Sequence, residues 1–261
     1  LNIGISTACY YPLPTEQALA KVVATGVDCT EIFINAFSEL QPAILHELKT
    51  ILAAGNTKVC SLHPFTAGME PMLFFSDYPR RFDDGCELYK RFFQATAELG
   101  GRYLVLHGAI TKHPIPVEQY LDSYYRLHTL AKSFGVLLAQ ENVGRCMSRT
   151  PALFTALRKQ IPDAAFVLDL KQVFRSDGTL PEFLQAMGAN LVHLHLSDGR
   201  PDADCLPIGE GSIDFGNLFS TLNRCHYSGD AVLELYSHNY TQEEQLTNSV
   251  LLLKKMSLSK K

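Results

Sequence analysis

The chain is poor in several features that would have settled its class at once. Its seven cysteines are scattered and never form a CxxC pair. An odd, dispersed set reads as reduced thiols, not as a disulfide framework or a zinc ribbon. No apolar run approaches the roughly 20 residues needed to span a bilayer, and no stretch reads as a signal peptide, so a cytoplasmic, membrane-free protein is expected. The net charge of −4 over 261 residues offers no general attraction to nucleic acid or to anionic lipid. No GxGxxG follows the first apolar run, which weakens a dinucleotide-binding reading. No HExxH is present, so any metal site must be assembled by the fold from distant residues.

What is present is alternation. Eight short apolar runs have strand length: 2–6, 29–33, 58–63, 103–107, 136–141, 165–169, 191–196 and 231–235. Helical patterns lie between many of them. One starts at Thr15, read as a cap, and stops at Gly26. Others stop at Gly55, at Gly100 and Gly101, and at Gly135, and Thr150 caps one that opens on Pro151. Residues 241–256 supply a last helix, and the "SLSKK" tail is expected to be solvated. Eight strands alternating with helices predict a parallel sheet closed into a single-domain (β/α)8 TIM barrel over residues 1–261, with an open doubly wound sheet as the rival. Two connections, 64–80 and 197–214, are long and fall on one rim of such a barrel.

The ends of the runs carry the chemistry. Glu31, His63, His107, Glu141, Asp169, His195 and Glu234 come from seven successive strands. The residues two positions earlier are Cys29, Ser61, Val105, Ala139, Val167, His193 and Val232, mostly small or apolar, as an inner barrel layer requires. In "LVHLHLSDG" (191–199), His193 and His195 share one face of a strand. His195 then joins the rim, and His193 lies a layer below as a core or supporting group. Packing alone is a poor explanation for seven ionisable groups on one rim, because buried carboxylates are costly unless paired or metal-bound. Glu141, Asp169, His195 and Glu234 would offer three oxygens and one nitrogen, a set suited to one divalent metal, Mn²⁺, Co²⁺, Mg²⁺ or Zn²⁺.

The segments "SLHPF" (61–65), "LVLHGA" (104–109), "AQENVG" (139–144), "VLDLKQ" (167–172), "VHLHLSDG" (192–199), "IGEGSIDF" (208–215) and "LELY" (233–236) resemble, in order and spacing, the xylose isomerase-like TIM-barrel superfamily. That group includes D-tagatose 3-epimerase-type sugar epimerases, hydroxypyruvate isomerase, inosose dehydratase and endonuclease IV. The resemblance to the epimerase branch implies that Glu141, Asp169, His195 and Glu234 bind one divalent metal. It also implies that Glu141 and Glu234 act as the acid/base pair of an enediolate mechanism on a small carbohydrate. His63, His107, Gln172, Arg200 and Glu31 are expected to bind or orient substrate, with Tyr10, Phe65 and Phe74 as further pocket-lining candidates.

The chain departs from the branch at Gln172, where the pattern Asp-x-x-His would place a histidine. The neighbouring Lys171 reads either as an anion-binding group or as part of a solvated loop. Glu210, in the glycine-rich loop, reads as structural. An inosose dehydratase-like lyase is the near alternative, since it would use the same metal and carboxylates. An abasic-site nuclease resembling endonuclease IV is more distant. Gln172 and Cys205 stand where that enzyme has histidines, and no nucleic-acid partner is expected. The oligomeric state stays open, with a homo-oligomer among the outcomes.

Overall fold

In a computed structural model, which describes residues 1–258, eight parallel strands close into a barrel. They are β1 (Ile3–Ser6), β2 (Cys29–Ile34), β3 (Lys58–Pro64), β4 (Tyr103–Leu106), β5 (Leu137–Glu141), β6 (Ala165–Asp169), β7 (Leu191–Leu196) and β8 (Asp230–Leu233). Each pairs with its sequence neighbours, and β8 pairs with β1 to close the ring. The rival open sheet is excluded by that last pairing. The runs were legible because both faces of each strand are buried, so the apolar signal is nearly continuous. The outward face buries Ile5, Ile32, Leu62, Leu104, Leu138, Phe166, Leu194 and Leu233 beneath the helices. The inward face holds small residues, among them Val105, Ala139 and Val167.

Gly4 shows how tight the interior is. A Cβ at this position would lie 1.7 Å from the Cys29 carbonyl oxygen, so β1 can lean on β2 only without a side chain there.

Helices Thr15–Ala24, Pro42–Ala54, Pro79–Glu98, Val117–Ser133, Pro151–Gln160, Leu180–Met187, Phe215–Arg224 and Glu244–Leu258 surround the barrel. Proline opens three of them, at Pro42, Pro79 and Pro151, where its missing N–H costs nothing. Thr150 is the residue before the helix, as expected, though its hydroxyl makes no cap bond. Thr15 is not a cap. It is the first helical residue, after Pro14, and its hydroxyl donates instead to the Phe33 carbonyl at 3.0 Å. The helices Leu180–Met187 and Phe215–Arg224 were absent from the sequence reading, although Thr179 with Glu182 and Asp214 mark their starts. Of the tail, residues 259–261 lie outside the described residues.

Both long connections are structured. Residues Phe65–Gly68 and Glu70–Phe74 form short helical turns, and 197–214 contains the antiparallel hairpin Asp198–Arg200 with Ala203–Leu206. The Asp198 carboxylate organises this rim by accepting from the backbone N–H of Gly199, Gly209 and Ile213. No described helix is long and apolar enough to cross a membrane.

Candidate active site

At the C-terminal end of the barrel, the strands bring Glu141, Asp169, His195 and Glu234 together around one atom. His195 Nδ1 lies 3.2 Å from Glu234 Oε2, 3.6 Å from Glu141 Oε1 and 3.8 Å from Asp169 Oδ2. This nitrogen is buried and has no hydrogen-bond partner. On its other side the ring is fixed, because His195 Nε2 is 3.0 Å from Glu31 Oε2. A carboxylate there holds the proton on Nε2 and turns Nδ1 toward the three carboxylates.

Glu31, expected at the substrate surface, instead lies beneath it. It pairs level with Ser61 and Ser6, a layer beneath the rim, and is fully buried. It accepts from Ser61 Oγ at 2.8 Å and faces His193 Nε2 at 3.5 Å. His193 is a supporting group of the same layer. Its Nδ1 faces the Asp230 carbonyl at 3.1 Å, so Nδ1 carries a proton. Its Nε2 faces Ser61 Oγ at 3.2 Å, and because that hydroxyl gives its proton to Glu31, Nε2 donates as well. Burial pulls the His193 pKa down, but its contact with the Glu31 carboxylate turns the net shift upward. Burial alone would push Glu31 up. The imidazole groups of His195 and His193 overcome it and hold the carboxyl well below its usual range.

The backbone around Asp169 is held by Asn142. Its Oδ1 accepts from Asp169 N at 2.7 Å, and its Nδ2 donates to Asp169 O at 3.0 Å. Gln172 braces the same corner, since its Oε1 accepts from Gly144 N at 3.1 Å. Its side-chain oxygen is thereby spent on a loop. Arg200 is also displaced from the expected site. It lies on the exposed hairpin, bonded to Asp202 and to the Glu210 carbonyl. Glu210 in turn accepts from Gln245.

His63 and His107 stand beside the cluster. Their Nε2 atoms are 3.0 Å apart, and His107 Nε2 is 2.8 Å from Glu141 Oε2. Phe33 stacks on the His63 ring at 4.6 Å. Burial raises the Glu141 carboxyl, but His107, His195 and His63 together bring it well below its ordinary value. Glu70 was missed by sequence reasoning. Its Oε2 accepts from the backbone N–H of His107 and Gly108, which sets the exit of β4.

The cluster opens into a pocket of about 560 Å³ lined by Tyr11, Phe33, Phe65, Glu234, Tyr236 and His238, among others. Of the expected aromatics, Phe65 is there, whereas Tyr10 and Phe74 belong to the hydrophobic core.

Three carboxylates and an unpartnered imidazole nitrogen are donors of the kind a divalent cation takes. The ligand atoms of Glu141, Asp169 and His195 lie within 4.8 Å of one another, as do those of His63, His107 and Glu141. The donor set therefore fits a metal. It also already contains a cation. Lys171, which is neither solvated nor free for an external anion, is buried, and its Nζ bonds both Asp169 Oδ2 and Glu234 Oε2. Burial disfavours this ammonium, but Asp169, Glu234 and Glu141 raise its pKa well above the ordinary lysine value. Burial likewise lifts Glu234, yet Lys171 and His195 bring its carboxyl down to about 2.

A family model described as xylose isomerase-like TIM barrel matches residues 19–256. The chain belongs to the xylose isomerase-like TIM barrel family. Its curated relatives include an uncharacterized protein of Mycobacterium leprae, 25% identical over 96% of this chain and 95% of its own length. One from Methanocaldococcus jannaschii is 21% identical over 90% of this chain and 83% of its own length. Among solved structures, a D-tagatose 3-epimerase-like protein superposes with a TM-score of 0.81 at 19% identity, covering 98% of this chain and 97% of its own. An L-ribulose 3-epimerase gives 0.81 at 17% identity, covering 98% and 94%. The IolI protein, described with a binding zinc atom, gives 0.75 at 19% identity, covering 99% and 97%. At these identities the structural likeness establishes the fold.

Proposed function

We propose that this member of the xylose isomerase-like family is an isomerase or epimerase of a small sugar, keto-sugar or polyol. The observation that carries the reading is the pair of carboxylates, Glu141 and Glu234, that flank His195 Nδ1 at 3.6 and 3.2 Å, with Glu234 on the wall of an aromatic pocket. Two ionised carboxylates at one centre can take a proton from a carbon beside a carbonyl and return it, passing through an enediolate. Glu234, partly open to the pocket, is the oxygen base that meets substrate first. Glu141, enclosed and 2.8 Å from His107, is the second carrier, with His107 within reach to hold or pass the proton. His63 and His107 orient the substrate's hydroxyls. The phenyl and phenol faces of Phe33, Phe65 and Tyr236 cover its carbon skeleton and exclude water. Glu141, Asp169, His195 and Glu234 would hold one divalent ion, Mn²⁺, Co²⁺, Mg²⁺ or Zn²⁺, which when bound polarises the carbonyl.

The names of the epimerase neighbours support this class of substrate. The test is a panel of ketoses, aldoses, hydroxypyruvate and inososes incubated with the protein and each metal in turn, followed by NMR. Conversion of at least one ketose or aldose to an isomer or epimer is expected. Loss of water from an inosose would replace the reading with a lyase. Cleavage of abasic-site DNA, with no sugar converted, would replace it with a nuclease.

A further inference from the structure

The position of Lys171 sets it apart from the other groups of the cluster. Asp169 caps the helical turn Leu170–Val173, its Oδ1 accepting from Gln172 N, and Lys171 projects from the first step of that turn. The turn is clamped on both sides, by Asn142 on Asp169 and by Gln172 on Gly144. The lysine is thus aimed back into the cluster by a fixed piece of backbone. Its Nζ bonds one oxygen of Asp169 and one of Glu234, and it lies 5.9 Å from the centre of the Tyr236 ring. These two carboxylates belong to the set that would hold a divalent ion. Any ion taking Asp169 Oδ2 and Glu234 Oε2 as ligands must share both oxygens with a fixed ammonium, and like charges at such separations repel strongly away from bulk water.

We infer that the Lys171 ammonium and a divalent metal ion exclude one another at the Asp169–Glu234 pair, so that Lys171 is the resident cation of the metal-free protein and is expelled when metal binds. This rests on the proposed metal-holding role of the quartet. It adds that Lys171 sets how tightly the site takes metal, and that Glu234 is released from its ion pair only once the lysine has gone. The apparent affinity for metal is the intrinsic affinity multiplied by the fraction of molecules in which the lysine is out. Removing the ammonium removes that penalty.

The experiment is calorimetric titration of metal-stripped wild type, Lys171→Met and Lys171→Gln with Zn²⁺ and with Mn²⁺, with thermal melts of each protein. Both variants are expected to bind at least about tenfold tighter than wild type. Left with unopposed carboxylates, they should melt lower without metal and regain more than wild type when it is added. A second readout needs no variant. Reductive methylation of the wild type, read by mass spectrometry, should modify Lys171 only when metal is present. Affinities of the variants within threefold of wild type, or a Lys171 equally protected with metal bound, would overturn the exclusion. Wild type that converts a sugar with metal yet gives that result overturns the exclusion alone. Absence of metal binding in all three proteins overturns the exclusion together with the metal half of the proposed function.

Discussion

His195 Nε2 lies 3.0 Å from Glu31 Oε2 at the floor of the site. That contact decides which nitrogen of His195 meets the carboxylates above. Glu31→Gln keeps the shape and removes the charge that fixes the ring. Metal affinity is expected to fall about 10- to 100-fold, the usual effect of losing such an outer partner. Equilibrium dialysis against Zn²⁺ checks it, and an unchanged affinity would leave Glu31 with only a packing role.

His107 sits 2.8 Å from Glu141 and outside the quartet. His107→Ala should lower turnover about 100-fold through lost orientation, while metal per chain stays constant. Elemental analysis beside kinetics separates the two. The loss of a whole metal equivalent would instead make His63, His107 and Glu141 a second metal site.

Gly4→Ala puts a methyl group 1.7 Å from the Cys29 carbonyl, a backbone atom that cannot swing away. A destabilisation of about 3 kcal/mol or more is expected in urea denaturation. A loss below about 1 kcal/mol would mean that β1 and β2 can part at little cost.

His128 gives a pH dependence far from the site. It is buried against Tyr124, and burial depresses its pKa below the ordinary 6.5, outweighing the upward pull of Asp163. Lys132, on the same helix, adds to the depression. Between the folded and unfolded pKa values the unfolded chain binds the extra proton. The His128 contribution to stability is therefore full above pH 6.5 and is lost as the pH falls through 6.5 toward the depressed value. His128→Phe should flatten the stability curve in that window, while the depressed Asp163 carboxyl acts only at more acidic pH. A slope that survives the substitution would place its origin elsewhere.

The barrel was legible in the sequence because parallel strands buried on both faces leave apolar runs, and their last residues stand out. That rule returned seven ionisable residues, and donor chemistry with the family resemblance singled out Glu141, Asp169, His195 and Glu234 among them. Glu31 was set too high because β2 continues three residues beyond it, so that Phe33, and not Glu31, pairs with His63 at the rim. Arg200 was misplaced because its partner, the Glu210 carbonyl, is a backbone group of another loop. Lys171 was undecided for a similar reason. Its contact with Asp169 is local, but its meaning depends on Glu234, 63 residues further on.

The central claim is that Glu141 and Glu234 move a carbon-bound proton of a small carbohydrate. The most direct measurement follows deuterium entering substrate and product from D₂O, by NMR, for wild type and Glu234→Gln with the same metal added. The account predicts wash-in beside the carbonyl with wild type and none with Glu234→Gln, whose amide cannot accept a proton at neutral pH. Wash-in undiminished by the substitution, or conversion of a sugar by both proteins at equal rates, would contradict it.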